Sequence, residues 1–133
     1  MKSVFISLLL LSSFGFCAAV TVSSPDGGLS LQLNESTGAY QIAVKNPAWT
    51  FGGNLGSPVA NATVGRGHDA AGDYQQIVFD WRNGQLPMTG EIRIYDEKPL
   101  ALFSEKCGVA TKTPPSPFPD FTRLPENLHV FSY

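Results

Sequence analysis

The sequence predicts an all-β protein, an antiparallel β-sandwich, and three observations carry that reading. Asp73 to Trp81 alternates, with Ile77, Phe79 and Trp81 on one side and Gln76, Val78 and Asp80 on the other. Leu29, Leu31 and Leu33 alternate with Ser30, Gln32 and Asn34, and Tyr40, Ile42 and Val44 alternate with Gln41, Ala43 and Lys45. Turn-forming residues separate these runs, at Pro25 to Gly28, Glu35 to Gly38, Asn46-Pro47 and Asp96 to Pro99. Period-two alternation in stretches rich in β-branched and aromatic residues, punctuated by Gly, Pro, Asn and Asp, is the pattern of strands with one buried face. In the central stretch the apolar residues do not recur at three and four, as a helix requires.

The chain opens with a leader. Lys2 gives a basic start, Val4 to Leu11 is an apolar run, and Cys17-Ala18-Ala19 supplies small residues. This is the pattern of a secretory signal peptide over residues 1–19, cleaved after Ala19. The apolar run is roughly half of the ~20 residues a membrane-spanning helix needs. The protein is therefore expected to be secreted, with no membrane partner once the leader is removed. Phe16 before Cys17 argues against bacterial lipoprotein processing. The mature chain of 114 residues is long enough for one small domain with its own core. Losing Lys2 leaves eight basic against eleven acidic residues, a net charge of −3. With no cluster of Lys or Arg, nucleic acid is not an expected partner. Losing Cys17 leaves Cys107 without an internal partner, so it is buried, paired with another chain, or separated from a partner outside this sequence.

The elements follow in order. Val20 to Ser24 is a short strand candidate. Pro25-Asp26-Gly27-Gly28 turns the chain into the Leu29–Asn34 and Tyr40–Val44 hairpin. Asn46-Pro47 ends it. Trp49-Thr50-Phe51 follows beside a glycine loop, Gly52 to Gly56. Val59 to Val64 is weakly strand-like, and Gly65 to Gly72 reads as a surface loop. The central strand ends at Trp81. A loop from Arg82 to Thr89 then leads to the return strand Gly90 to Tyr95, which places Ile92 and Ile94 on the buried face with Ile77, Phe79 and Trp81. Leu100 to Ser104 makes a third consecutive strand. The sandwich domain is expected to span 20–112.

Composition shifts after that. Pro114, Pro115, Pro117, Pro119 and Pro125 lie close together, and proline cannot donate to a strand ladder. Phe118, Phe121 and Leu124 are interleaved with them, as expected of a tether lying on an apolar surface. Leu128 to Tyr133 is again strand-like and has no successor. Residues 113–133 thus read as a proline-rich tether and the start of a further segment, in a sandwich left incomplete at its carboxyl end.

Chemistry-bearing patterns are few. The chain has no Gly-x-Ser-x-Gly, His-Glu-x-x-His or Cys-x-x-Cys. With only His68 and His129, a zinc site lacks ligands, and no metal or cofactor is expected. Asp69, Asp73, Asp80, Glu91, Asp96 and Glu97 fall at turns or on polar strand faces, so no catalytic pair of carboxylates is assigned. Trp49 and Phe51 have two readings. They form a platform for the apolar C–H face of a sugar, or they are core residues of a short strand. Asn34-Glu35-Ser36 and Asn61-Ala62-Thr63 are N-glycosylation acceptors, which fits a secreted protein.

Ser24-Pro25-Asp26-Gly27, followed by Leu29 to Leu33 and then Tyr40 to Val44, resembles the opening of the β-sandwich that precedes the catalytic barrel in secreted glycoside hydrolases of the α-galactosidase and raffinose-synthase type. Gly90 to Tyr95 with Leu100 to Phe103 is similar to a middle part of such a supersandwich-like domain. The resemblance covers roughly residues 20 to 105. It implies a non-catalytic accessory domain whose catalytic residues lie on a barrel absent from this chain. Its partner would be that missing catalytic domain or a carbohydrate. A free-standing lectin-like or extracellular structural module is the alternative.

Overall fold

The computed structural model describes residues 18–126, 128 and 129. The leader at 1–19 therefore lies outside the described residues except for Ala18 and Ala19. Of the run Leu128 to Tyr133, residues 128 and 129 are described and irregular, and 130–133 lie outside.

The described residues form nine strands and no helix. The first sheet holds β1 (Ala19–Ser23), β2 (Leu29–Asn34), β3 (Ala39–Val44), β4 (Trp49–Asn54) and β9 (Phe121–Arg123), in the order β1-β2-β3-β4-β9. The second holds β5 (Ala60–Asp69), β6 (Gly72–Asn83), β7 (Leu86–Tyr95) and β8 (Ala101–Cys107), in sequence order. All pairings are antiparallel. The molecule is an all-β, two-sheet sandwich.

Register follows the apolar pattern. In the first sheet Leu31 pairs with Ile42 and Leu33 with Tyr40. In the second, Ile77 pairs with Ile92 and Trp81 with Met88. The inner faces meet in one cluster, where Leu31, Leu33, Ile77, Ile92 and Ile94 are fully buried. A one-residue slip of β6 would carry Ile77, Phe79 and Trp81 into water and bring Asp80 inside. Each large apolar side chain exposed costs about 1.5–3 kcal/mol, against a typical stability of about 5–15 kcal/mol for a whole domain. The observed register therefore has no close competitor.

Three glycine-containing stretches differ from the sequence reading. Gly65 to Asp69 belongs to β5 and is no loop. Gly67 lies opposite Tyr74, and a Cβ there would stand 2.4 Å from the Tyr74 hydroxyl oxygen. Gly52 and Gly53 lie inside β4, where the Tyr40 hydroxyl and the Asp120 carbonyl leave no space for a Cβ on Gly53. Arg82 to Thr89 is mostly ladder, closed by the two-residue turn Gly84-Gln85, with Gly84 at φ +61°. In the first two stretches glycine admits a close neighbour, and only in the third does it turn the chain.

The proline-rich segment crosses from β8 back to the first sheet. Phe118 packs among Tyr40, Phe79, Trp81 and Phe103, at centroid distances of 5.8, 6.1, 5.5 and 5.4 Å. Phe121 packs against Tyr40, Phe51 and Phe103. Leu124 remains 47% exposed. The Tyr40 hydroxyl donates to the Asp120 carbonyl (2.8 Å) and accepts from the Asp120 N–H (2.9 Å), which holds β9 against β4.

Gly90 offers a test of this packing. It lies opposite Phe79, and an added Cβ would stand 2.7 Å from the Phe79 ring and 2.8 Å from that of Trp81. Removing glycine from a strand ordinarily gains roughly 0.5–1 kcal/mol, whereas overpacking a core costs about 1–3 kcal/mol. Two buried rings make the second effect win. Gly90→Ala is expected to lose about 1–2 kcal/mol in urea denaturation. A variant as stable as the wild type would show that these rings do not close over Gly90.

Candidate functional site

Trp49, Phe51 and Gly53 share the inward-facing side of β4, since they pair with Val44, Ile42 and Tyr40. Their environments differ. Phe51 packs against the core and lies edge-on to Phe121 at 5.9 Å. Trp49, at the start of the strand, stands outside that cluster and is half-buried. The two rings meet at 82° with centroids 6.3 Å apart. They form a buttressed single ring and not a coplanar platform: Phe51 supports the indole from the core side.

The β4–β9 pairing completes the site. Arg123 pairs with Gly52, and its stem lies along that glycine: a Cβ at Gly52 would be 3.6 Å from the Arg123 Cβ. Ala48, Trp49, Thr50, Arg123, Leu124, Pro125 and Glu126 line a pocket of about 380 Å³, at the small end of the range for ligand sites. Among the described residues, the Trp49 indole N–H, the Arg123 guanidinium and the Glu126 carboxylate have no hydrogen-bond partner. Trp49 lies on the inward side of β4 and Arg123 lies with Gly52 on its outward side, so the pocket draws its lining from both faces of the sheet edge. Arg123 and Glu126 carry no local sequence signal. They join Trp49 only through the long-range pairing, which the interleaved Phe118 and Phe121 foreshadow.

The remaining sequence candidates fall elsewhere. His68 pairs with Asp73 (2.7 Å) on an exposed rim of β5 and β6, while Asp69 points to the opposite face, so the two do not act together. Among the described residues no group of three His, Cys, Asp or Glu is placed to hold a metal. Asn34 is half-buried, and its side-chain oxygen accepts from Ser36 N, Ser36 Oγ and Thr37 N at the end of β2. Asn61 is exposed in a bulge of β5 at φ +53°, where its amide donates to Asp80 (2.9 Å). Cys107 is half-buried at the end of β8 and packs against the core.

The outer face of the second sheet carries the densest polar cluster. Arg93 donates to Glu91 (2.5 Å) and Asp69 (3.1 Å) and lies 4.4 Å over the Tyr74 ring. The Tyr95 hydroxyl donates to Asp69 (2.7 Å). These groups satisfy one another, so the cluster braces β5, β6 and β7 and leaves little for a ligand. Comparison of the chain with protein-family models, curated proteins and solved structures finds no match.

The brace has a pH signature. The Tyr95 hydroxyl, the Ala71 N–H and Arg93 hold the Asp69 carboxyl below the usual carboxylate range. A lowered folded-state pKa contributes stability above the unfolded value, about 4, and loses it as pH falls through the folded value. Asp69→Asn is therefore expected to melt below the wild type at pH 7, with the gap narrowing as pH drops below about 4. A gap that stays constant from pH 7 to 2 would contradict this account.

Proposed function

We propose that this chain is a secreted, non-catalytic carbohydrate-binding β-sandwich, the amino-terminal accessory module of a carbohydrate-active enzyme of the glycoside hydrolase kind. The observation that carries it is the Trp49 pocket. A sugar ring offers an apolar C–H face that matches a half-buried indole, and its hydroxyls can donate to Glu126, which lines the same pocket. Phe51 behind the indole limits its motion before a ligand arrives, which lowers the ordering cost of binding. Glu126 is the one carboxylate lining the pocket. Hydrolysis in the usual two-carboxylate manner requires a facing pair, so the pocket is proposed to bind and not to cleave. The enzyme context rests on the resemblance of the Ser24–Gly27 turn and the hairpin after it. A free-standing lectin-like or extracellular structural module is the second reading.

A glycan array with two variants tests the proposal. Trp49→Ala is expected to weaken binding at least tenfold with little change in melting temperature, because Trp49 lies outside the core. Phe51→Ala is expected to cost about 3 kcal/mol of stability, as for a truncated core aromatic. No binding by the wild-type protein to any glycan would overturn the proposal. A Trp49→Ala protein destabilised as much as Phe51→Ala would return Trp49 to the core.

A further inference from the structure

The two acceptor triplets of the sequence meet different surroundings in the fold. Asn34 ends β2 and is half-buried. Its side-chain oxygen accepts from Ser36 N (3.1 Å), Ser36 Oγ (2.8 Å) and Thr37 N (3.1 Å), and its backbone carbonyl accepts from Gly38 N (2.9 Å). The side chain is thus part of the turn that joins β2 to β3. Asn61 lies in no such turn. The register of β5 on β6 passes from Ala60–Asp80 to Thr63–Val78, so this stretch holds one residue more than the strand opposite and bulges from the ladder. Asn61 and Thr63 are both exposed. Asn61 is the one residue other than glycine at positive φ, +53°, among the described residues, a conformation that asparagine adopts more readily than most side chains. Its amide nitrogen donates to Asp80 (2.9 Å). A primary amide carries two hydrogens, so one remains for substitution.

We propose that Asn61, and not Asn34, carries an N-linked glycan. This rests on the secretory route of the function proposed above. The Asn61 amide nitrogen attacks C1 of an oligosaccharide donor carried on a lipid diphosphate. The N–C1 bond forms, the C1–O bond breaks, the diphosphate leaves with the bonding pair, and one amide proton is released. The placement also gives the glycan a task. β5 is an outer strand of the second sheet, ten residues long, and its Val64 is 56% exposed. A long open edge is a template for pairing with another chain, and proteins blunt such edges with bulges and obstructing groups. A glycan on the bulge adds a hydrated obstruction at the start of that edge. β5 lies beside β1, while β8 meets β9 through Phe103 and Phe121, so Asn61 and the Trp49 pocket sit at opposite edges of the sandwich.

The test produces the full chain in a eukaryotic secretory host, once with its own leader and once with a borrowed one. Peptides are read by mass spectrometry before and after enzymatic removal of N-glycans. The peptide holding Asn61 is expected to be glycosylated and the one holding Asn34 bare. Thr63→Ala should remove the glycan while keeping the Asn61–Asp80 contact, Asn61→Gln should remove both, and Ser36→Ala should change nothing. In sedimentation velocity, Thr63→Ala should self-associate more than the glycosylated wild type. A glycan on Asn34, or none on Asn61 behind either leader, would overturn the proposal. A bare Thr63→Ala protein as monomeric as the wild type would overturn the shielding of β5 and leave the site assignment standing. Export and glycosylation behind the borrowed leader alone would end the secretory reading while keeping the choice of acceptor.

Discussion

Phe118 occupies the opening where the two sheets part, touching Tyr40 from the first sheet and Phe79, Trp81 and Phe103 from the second. Aromatic pairs in this tilted or edge-on geometry each contribute roughly 0.5–1.5 kcal/mol beyond their buried area. A proline-rich segment that forms no ladder of its own is anchored by that ring. Two residues later Asp120 closes both of its backbone groups on the Tyr40 hydroxyl. The closure leaves no room for a side chain at Gly53, whose Cβ would lie 2.2 Å from both the Tyr40 hydroxyl oxygen and the Asp120 carbonyl. These contacts sit beside the pairing of β9 with β4. Arg123 and Glu126 line the pocket at that edge, as Trp49 does.

The two ends of the chain's chemistry contrast in how they treat charge. On the outer face of the second sheet, Arg93 is shared between Asp69 and Glu91, and the Tyr95 hydroxyl donates to Asp69. At the β4–β9 edge, Arg123 and Glu126 share one pocket and remain unpaired. A satisfied network stabilises the fold it sits on, while exposed groups without a protein partner are hydrated and open to a ligand. This difference, more than the number of polar residues, separates the brace from the candidate site.

Much of the fold was legible because period two is a strong signal. The buried sets of β2, β3, β6 and β7 follow directly from alternation, and so does the sharing of one face by Ile77, Phe79, Trp81, Ile92 and Ile94. The glycines misled. At Gly53 and Gly67 a local reading finds flexibility, whereas the structure uses the missing side chain to admit Tyr40, Asp120 and Tyr74. Those neighbours are distant in sequence or lie across a turn, so no window on the chain reveals them. The candidate site was half legible for the same reason. Trp49 and Phe51 stand out as an aromatic pair, but the difference between them, and the arrival of Arg123 and Glu126, depend on a pairing between residues about seventy positions apart.

The central claim is that the Tyr40–Asp120 closure holds β9 in place and thereby builds the pocket. Amide hydrogen exchange of Tyr40→Phe, compared with the wild type, tests it most directly, because the ring stays and only the hydroxyl leaves. The expected result is loss of protection at residues 120–123 and at the β4 amides facing them, with protection at Ile77 and Ile92 retained. Unchanged protection across β9, or a uniform loss across both sheets, would contradict it.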